Sequence, residues 1–158
     1  MPAFGLVDYC RISCDVGLDW DNSWIMRRTN LERVSTKQAI GNPLFRRQLN
    51  GRAFCNDPDV FFLRYSNLEF SREQKLLLGG INHLFGSVLF VSDNAEEYKT
   101  EDIEAIKIFF ARPDAEILSV DEENDVFLIK AVIGGERKSI AFNIKTGRSN
   151  IAEVLGVK

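Results

Sequence analysis

Residues 4–14 are rich in β-formers and poor in polarity, which predicts a strand covered on both faces. A long segment over 22–48 follows, with Trp24, Met26, Leu31, Val34, Ile40 and Leu44 at loosely helical spacing among many arginines. The Gly-Asn-Pro at 41–43 is expected to break that helix. A second apolar run, AFCNDPDVFFLR (53–64), is interrupted by a turn-prone Asn-Asp-Pro-Asp. Ser71 with Gln74 three residues on is a capping box, and it opens a helix through Leu76, Leu77, Ile81, Leu84 and Phe85. SVLFVSD (87–93) is a short β-rich run that ends in an acid. Thr100 is placed as the cap of the next helix, whose apolar stripe is Ile103, Ile106, Phe109 and Phe110. The order to this point is β-α-β-α-β-α.

Past Ala-Arg-Pro-Asp the period changes. EILSV, DVFLIKAVI and KSIAFNIK are strand-like, and the DEEN and GGER between them are hairpin turns. The sequence therefore divides near Pro113, into an α/β segment (1–112) and a small antiparallel β domain (113–158).

Composition narrows the function classes. With 45% apolar and 27% charged residues the chain is ordinary for a globular protein. Its net charge of −3 gives no global case for nucleic acid or an anionic membrane. No apolar run approaches the roughly 20 residues that span a bilayer. The opening MPAFGLVDYC has no basic region and is interrupted by Asp8, unlike a signal peptide. Cys10, Cys14 and Cys55 are odd in number and lack metal spacing, so reduced thiols in a cytoplasmic protein are expected. One histidine, His83, cannot build a histidine metal site, and no metal or cofactor is expected. Carboxylates are left as the chemistry-bearing groups. Asp15, the 56–59 turn and Asp93 all end strands, where the loops of parallel βα units gather. Arg11 lies four residues before Asp15, an even offset that puts both on one strand face. Helix starts and turns also favour aspartate, so spacing alone reads only as an acidic pocket, of a kind that suits a sugar.

GLVDYCRISCDV followed by NGRAFCNDPDVFFLR resembles the latter half of the catalytic domain of α-galactosidases (melibiases), the clan D glycoside hydrolases. In that clan an Arg-x-x-x-Asp ends the sixth strand of a (β/α)8 barrel and an Asn-Asp-Pro-Asp ends the seventh. SVLFVSD is similar to the eighth strand. The resemblance implies an α/β fold that is the C-terminal portion of a (β/α)8 TIM barrel, strands six to eight, followed by the clan's C-terminal β domain. It matches Asp15 to the general acid/base, Arg11 to a sugar-contacting arginine and Asp59 to a pocket carboxylate. Val60 stands where many relatives have methionine against the sugar ring, and Asp57 is a supporting residue.

The implied reaction is retaining hydrolysis of terminal α-galactosides, with two carboxyl groups roughly 5–5.5 Å apart. The family's nucleophile ends the fourth strand, and this chain has no counterpart to it. The resemblance thus implies the tail of a longer enzyme, inactive alone, with open sheet edges that favour self-association. The alternative is a non-catalytic carbohydrate-binding or scaffold protein. A basic run (Arg27, Arg28, Arg33, Lys37, Arg46, Arg47, Arg52 against Glu32) lacks interleaved aromatics and reads as a solvated helix face, with no nucleic acid expected.

Overall fold

The computed structural model describes residues 4–21 and 34–157. In chain order its elements are β1 (Tyr9–Arg11), α1 (Thr36–Phe45), β2 (Cys55–Asp57), β3 (Val60–Phe61), α2 (Arg72–Phe85), β4 (Phe90–Val91), α3 (Thr100–Phe110), β5 (Ala115–Glu123), β6 (Val126–Ile133), β7 (Glu136–Asn143) and α4 (Ile151–Leu155).

The expected segment of a (β/α)8 barrel is not there. Barrel strands lie side by side in one continuous sheet. Here β1 pairs in parallel with β2, and β3 pairs in parallel with β4, as two separate two-stranded pieces. The break falls in Asn-Asp-Pro-Asp. Pro58 has no N–H for a ladder, and Asp59 adopts φ 83, a left-handed conformation that no strand continues through. The result is a small mixed α/β fold with four α-helices and a three-stranded antiparallel sheet among the described residues.

Other expectations are corrected at their edges. The strand expected over 4–14 shrinks to β1 and is not covered on both faces: Phe4, Leu6, Val7 and Tyr9 are exposed, and Ile12 is buried. Helix α1 runs through Gly41-Asn42-Pro43 instead of breaking there. Pro43 is buried in its last turns together with Ala39, Ile40 and Leu44, so packing outweighs the lost N–H bond. Its cap is Ser35, whose hydroxyl accepts from the Gln38 N–H. The cap of α3 is Lys99, one residue before Thr100, and the Asp102 carboxylate accepts the Lys99 N–H at 3.0 Å.

The capping box of α2 forms as the sequence predicts, from Ser71 and Gln74. Everything from Lys75 to Phe85 on this helix is buried. Glycines let its neighbours approach. A Cβ on Gly79 would lie 2.5 Å from Cε2 of Phe109 on α3, and one on Gly80 would lie 2.6 Å from Cδ1 of Ile151 on α4.

The three C-terminal strands form a meander, β5-β6-β7. Alternate residues of β6 and β7 (Phe127 and Ile129, Ile140 and Phe142) enter the same hydrophobic core as Phe61, Leu77 and Phe109. The core therefore runs across the division at 112/113. Trp20, fully buried, joins the two ends of the chain: its indole N–H donates to the Ile144 carbonyl at 2.9 Å.

Candidate functional site

Parallel pairing of β1 with β2 places Arg11 opposite Asp57. From there the guanidinium reaches three carboxylates. Its Nη1 is 2.9 Å from Asp15 Oδ1, its Nη2 is 2.9 Å from Asp59 Oδ1, and its Nε is 3.4 Å from Asp57 Oδ2. The turn after β2 folds onto itself, because Asp57 Oδ1 accepts the Asp59 N–H at 2.9 Å. The other oxygen of Asp59 accepts the Val16 N–H at 2.8 Å. Asn82, on α2, donates to the Asp59 carbonyl at 3.0 Å. Asp59 is thus held on every side in a conformation that an L-residue rarely adopts.

The three acids differ in access. The side chain of Asp59 is 6% exposed, whereas that of Asp15 is 74% exposed. Asp15 is fixed at its backbone, where its carbonyl accepts the Ser35 N–H at 3.1 Å. Its Oδ2 has no hydrogen-bond partner among the described residues. The group has more carboxylates than cations, and it offers solvent a guanidinium edge beside an open carboxylate. Such a pair can donate to and accept from neighbouring hydroxyls.

A second polar network lies where β3 and β4 end. Asp93 Oδ2 accepts the Leu63 N–H at 2.6 Å and the Tyr98 hydroxyl at 2.8 Å. Lys75, buried on α2, donates to the carbonyls of Leu63 and Arg64 and rests over the Tyr65 ring, 4.0 Å from its centroid. Burial lowers the pKa of Lys75, against the opposing pull of Asp102 and Asp93. Burial alone would raise the Asp102 carboxyl; the Lys99 N–H, Arg72 and the Tyr65 hydroxyl hold it below the usual carboxylate range. Burial and the Asp93 carboxylate push the Tyr98 hydroxyl well up. These bonds tie α2, α3 and the ends of β3 and β4 together, and they leave Asp93 Oδ1 and Arg64 Nε buried without a hydrogen-bond partner among the described residues.

Of the residues singled out from the sequence, Arg11, Asp15, Asp57 and Asp59 come together. Val60 starts β3 and packs against the hydrophobic core. Asp93 belongs to the second network and makes no bond to the first. Arg27, Arg28, Glu32 and Arg33 of the basic run lie outside the described residues. Arg46 and Arg47 turn inward to the carbonyls of Ile12 and Leu44. The three cysteines are free and half-buried. Sequence reading passed over Lys75. Its one signal is position, on the same helix face as Leu78 and Asn82, where a cation is out of place.

No group of three histidine, cysteine or acidic residues among those described is placed to hold a metal ion. Among the same residues no helix is long and apolar enough to cross a membrane. Compared with known proteins, the chain matches no family model and no curated sequence.

Proposed function

We propose that the protein recognises a terminal α-galactoside at the Arg11 group and does not itself hydrolyse it. The observation that carries this reading is the exposed Asp15 carboxylate anchored through one oxygen to Arg11, with its other oxygen open to solvent. Adjacent sugar hydroxyls each donate and accept, and a guanidinium beside a carboxylate complements two of them at once. The motifs Arg11-x-x-x-Asp15 and Asn56-Asp57-Pro58-Asp59 add the resemblance to α-galactosidases, which favours galactose over other hexoses. Retaining hydrolysis needs a second carboxylate across the anomeric carbon, roughly 5–5.5 Å from the first. Asp57 and Asp59 are both engaged by Arg11 and by the turn they form, so neither is a free nucleophile.

Titration with methyl α-galactoside, followed by backbone amide shifts and calorimetry, tests the reading. Saturable binding is expected, with shifts centred on Arg11 and Asp15, weaker binding of methyl α-glucoside, and loss of binding in Asp15→Ala without loss of the thermal transition. No shifts at high millimolar sugar would overturn sugar recognition. Turnover of an aryl α-galactoside, abolished by Asp15→Asn, would overturn the non-catalytic part.

A further inference from the structure

A groove of about 590 Å3 opens where the last turns of α2 and α3 meet the β6–β7 hairpin and α4. It shares no residue with the Arg11 group, and its volume falls in the range of small-molecule sites. Its apolar part is half-buried Ile108, Ile133 and Leu155. One polar group in its wall is His83 of α2, only 5% exposed.

The ring of His83 is fixed by a 2.8 Å bond between Nδ1 and the Phe109 carbonyl. A carbonyl only accepts, so Nδ1 carries the hydrogen and Nε2 of the neutral ring is an acceptor. Among the described residues nothing donates to Nε2. Holding the end of α3 needs Nδ1 alone, so that structural role leaves Nε2 unused. Burial lowers the pKa of His83, which keeps the ring neutral near pH 7.

Charge around the groove is unequal. Lys107, Arg112 and Lys138 line it, against Asp114 and Glu136. The ion pair found there is Lys138 with Glu136, at 3.8 Å. Lys107 and Arg112 are exposed and make no ion pair among the described residues.

We propose that this groove binds a small carboxylate with an apolar body and a hydroxyl group. The carboxylate meets Lys107 and Arg112, the body covers Ile108, Ile133 and Leu155, and the hydroxyl donates to Nε2 of His83. Each half of the ligand answers a group that the protein leaves unsatisfied, and an apolar molecule without the acid would leave both cations unmatched.

Three probes separate the contributions: para-hydroxyphenylpropanoate, phenylpropanoate, which lacks the hydroxyl, and para-hydroxyphenylpropanamide, which lacks the charge. The first should bind the full chain about fivefold tighter than either of the others, by calorimetry or fluorescence. In His83→Asn the new amide can still donate to the Phe109 carbonyl but has nothing in place of Nε2. That variant should keep the preference for acid over amide and lose the preference for hydroxyl. The double variant Lys107→Gln, Arg112→Gln should do the reverse. Preferences that survive both variants, or no saturable binding of any probe, would overturn the proposal. If His83→Asn does not fold, the double variant, altered only at exposed positions, decides: an unchanged ratio of acid to amide overturns the site.

Discussion

At Asp59 the backbone stands at φ 83, a conformation that costs a non-glycine residue on the order of 1 kcal/mol or more. Bonds from Arg11, Val16 and Asn82 offset that cost. Arg11→Met would leave a buried carboxylate with one N–H donor, and a loss of about 1–3 kcal/mol is expected, the lower end reflecting the solvent already at Arg11. Asp15→Asn touches an exposed group and should change stability by less than about 0.5 kcal/mol. Urea unfolding of the two variants side by side checks the contrast. The proximity of Arg11 to Asp15 was legible because both lie in a short local spacing. The role of Lys75 was not, since its partners sit near positions 63–65, 93 and 102, and no local pattern points to them.

Local chemistry was read correctly at the start of α2, but not at Gly41-Asn42-Pro43, where α1 continues, nor at Thr100, where the cap is Lys99. The capping box at Ser71 needs only a few neighbouring residues and forms where the spacing put it. The hairpins turn more tightly than expected, at 124–125 and 134–135, with 121–123 and 136–137 paired in the strands. Strand pairing over long distances was read wrongly. The apolar run 53–64 was expected to supply one barrel strand ending at the Asn-Asp-Pro-Asp turn. Short strands form instead on both sides of that turn and belong to two separate parallel pairs, and with that division the barrel disappears. The glycines of α2 give a test at this scale. Gly79→Ala sets a methyl against the rigid Phe109 ring and should destabilise by about 1–2 kcal/mol despite the better helix propensity of alanine. Gly80→Ala meets the movable end of Ile151, so propensity and crowding should nearly cancel, within about 1 kcal/mol. Thermal melts of both variants distinguish the two cases.

For the whole molecule, acid is the informative stress. His83 has its pKa lowered by burial, so as pH falls the unfolded chain takes up that proton before the native one does. Its contribution is complete above the unfolded value of about 6.5 and is lost as pH falls through it toward the depressed native value. Asp102 acts lower. Its carboxyl is held below the usual value of 3.8, so its stabilisation is present above that pH and is lost as pH falls through the native value. Urea midpoints between about pH 7 and pH 3 should therefore decline in two steps. His83→Asn should remove the first and keep the second; a single decline in both proteins would contradict this assignment.

The bond from Trp20 to Ile144 bridges 124 positions of the chain. Closing a loop of that length costs roughly 4 kcal/mol of chain entropy, so the contact belongs late in folding. During synthesis the delay is longer. At about 5–20 residues per second, a ribosome takes roughly 6–25 s to make the chain between these two residues. For that interval the indole N–H lacks its carbonyl acceptor, and the apolar faces of α2 and α3 lack the complete sheet that covers them. Nascent chains stalled before residue 144 should be cut readily by protease and held by chaperones, and chains released beyond the last helix should resist both.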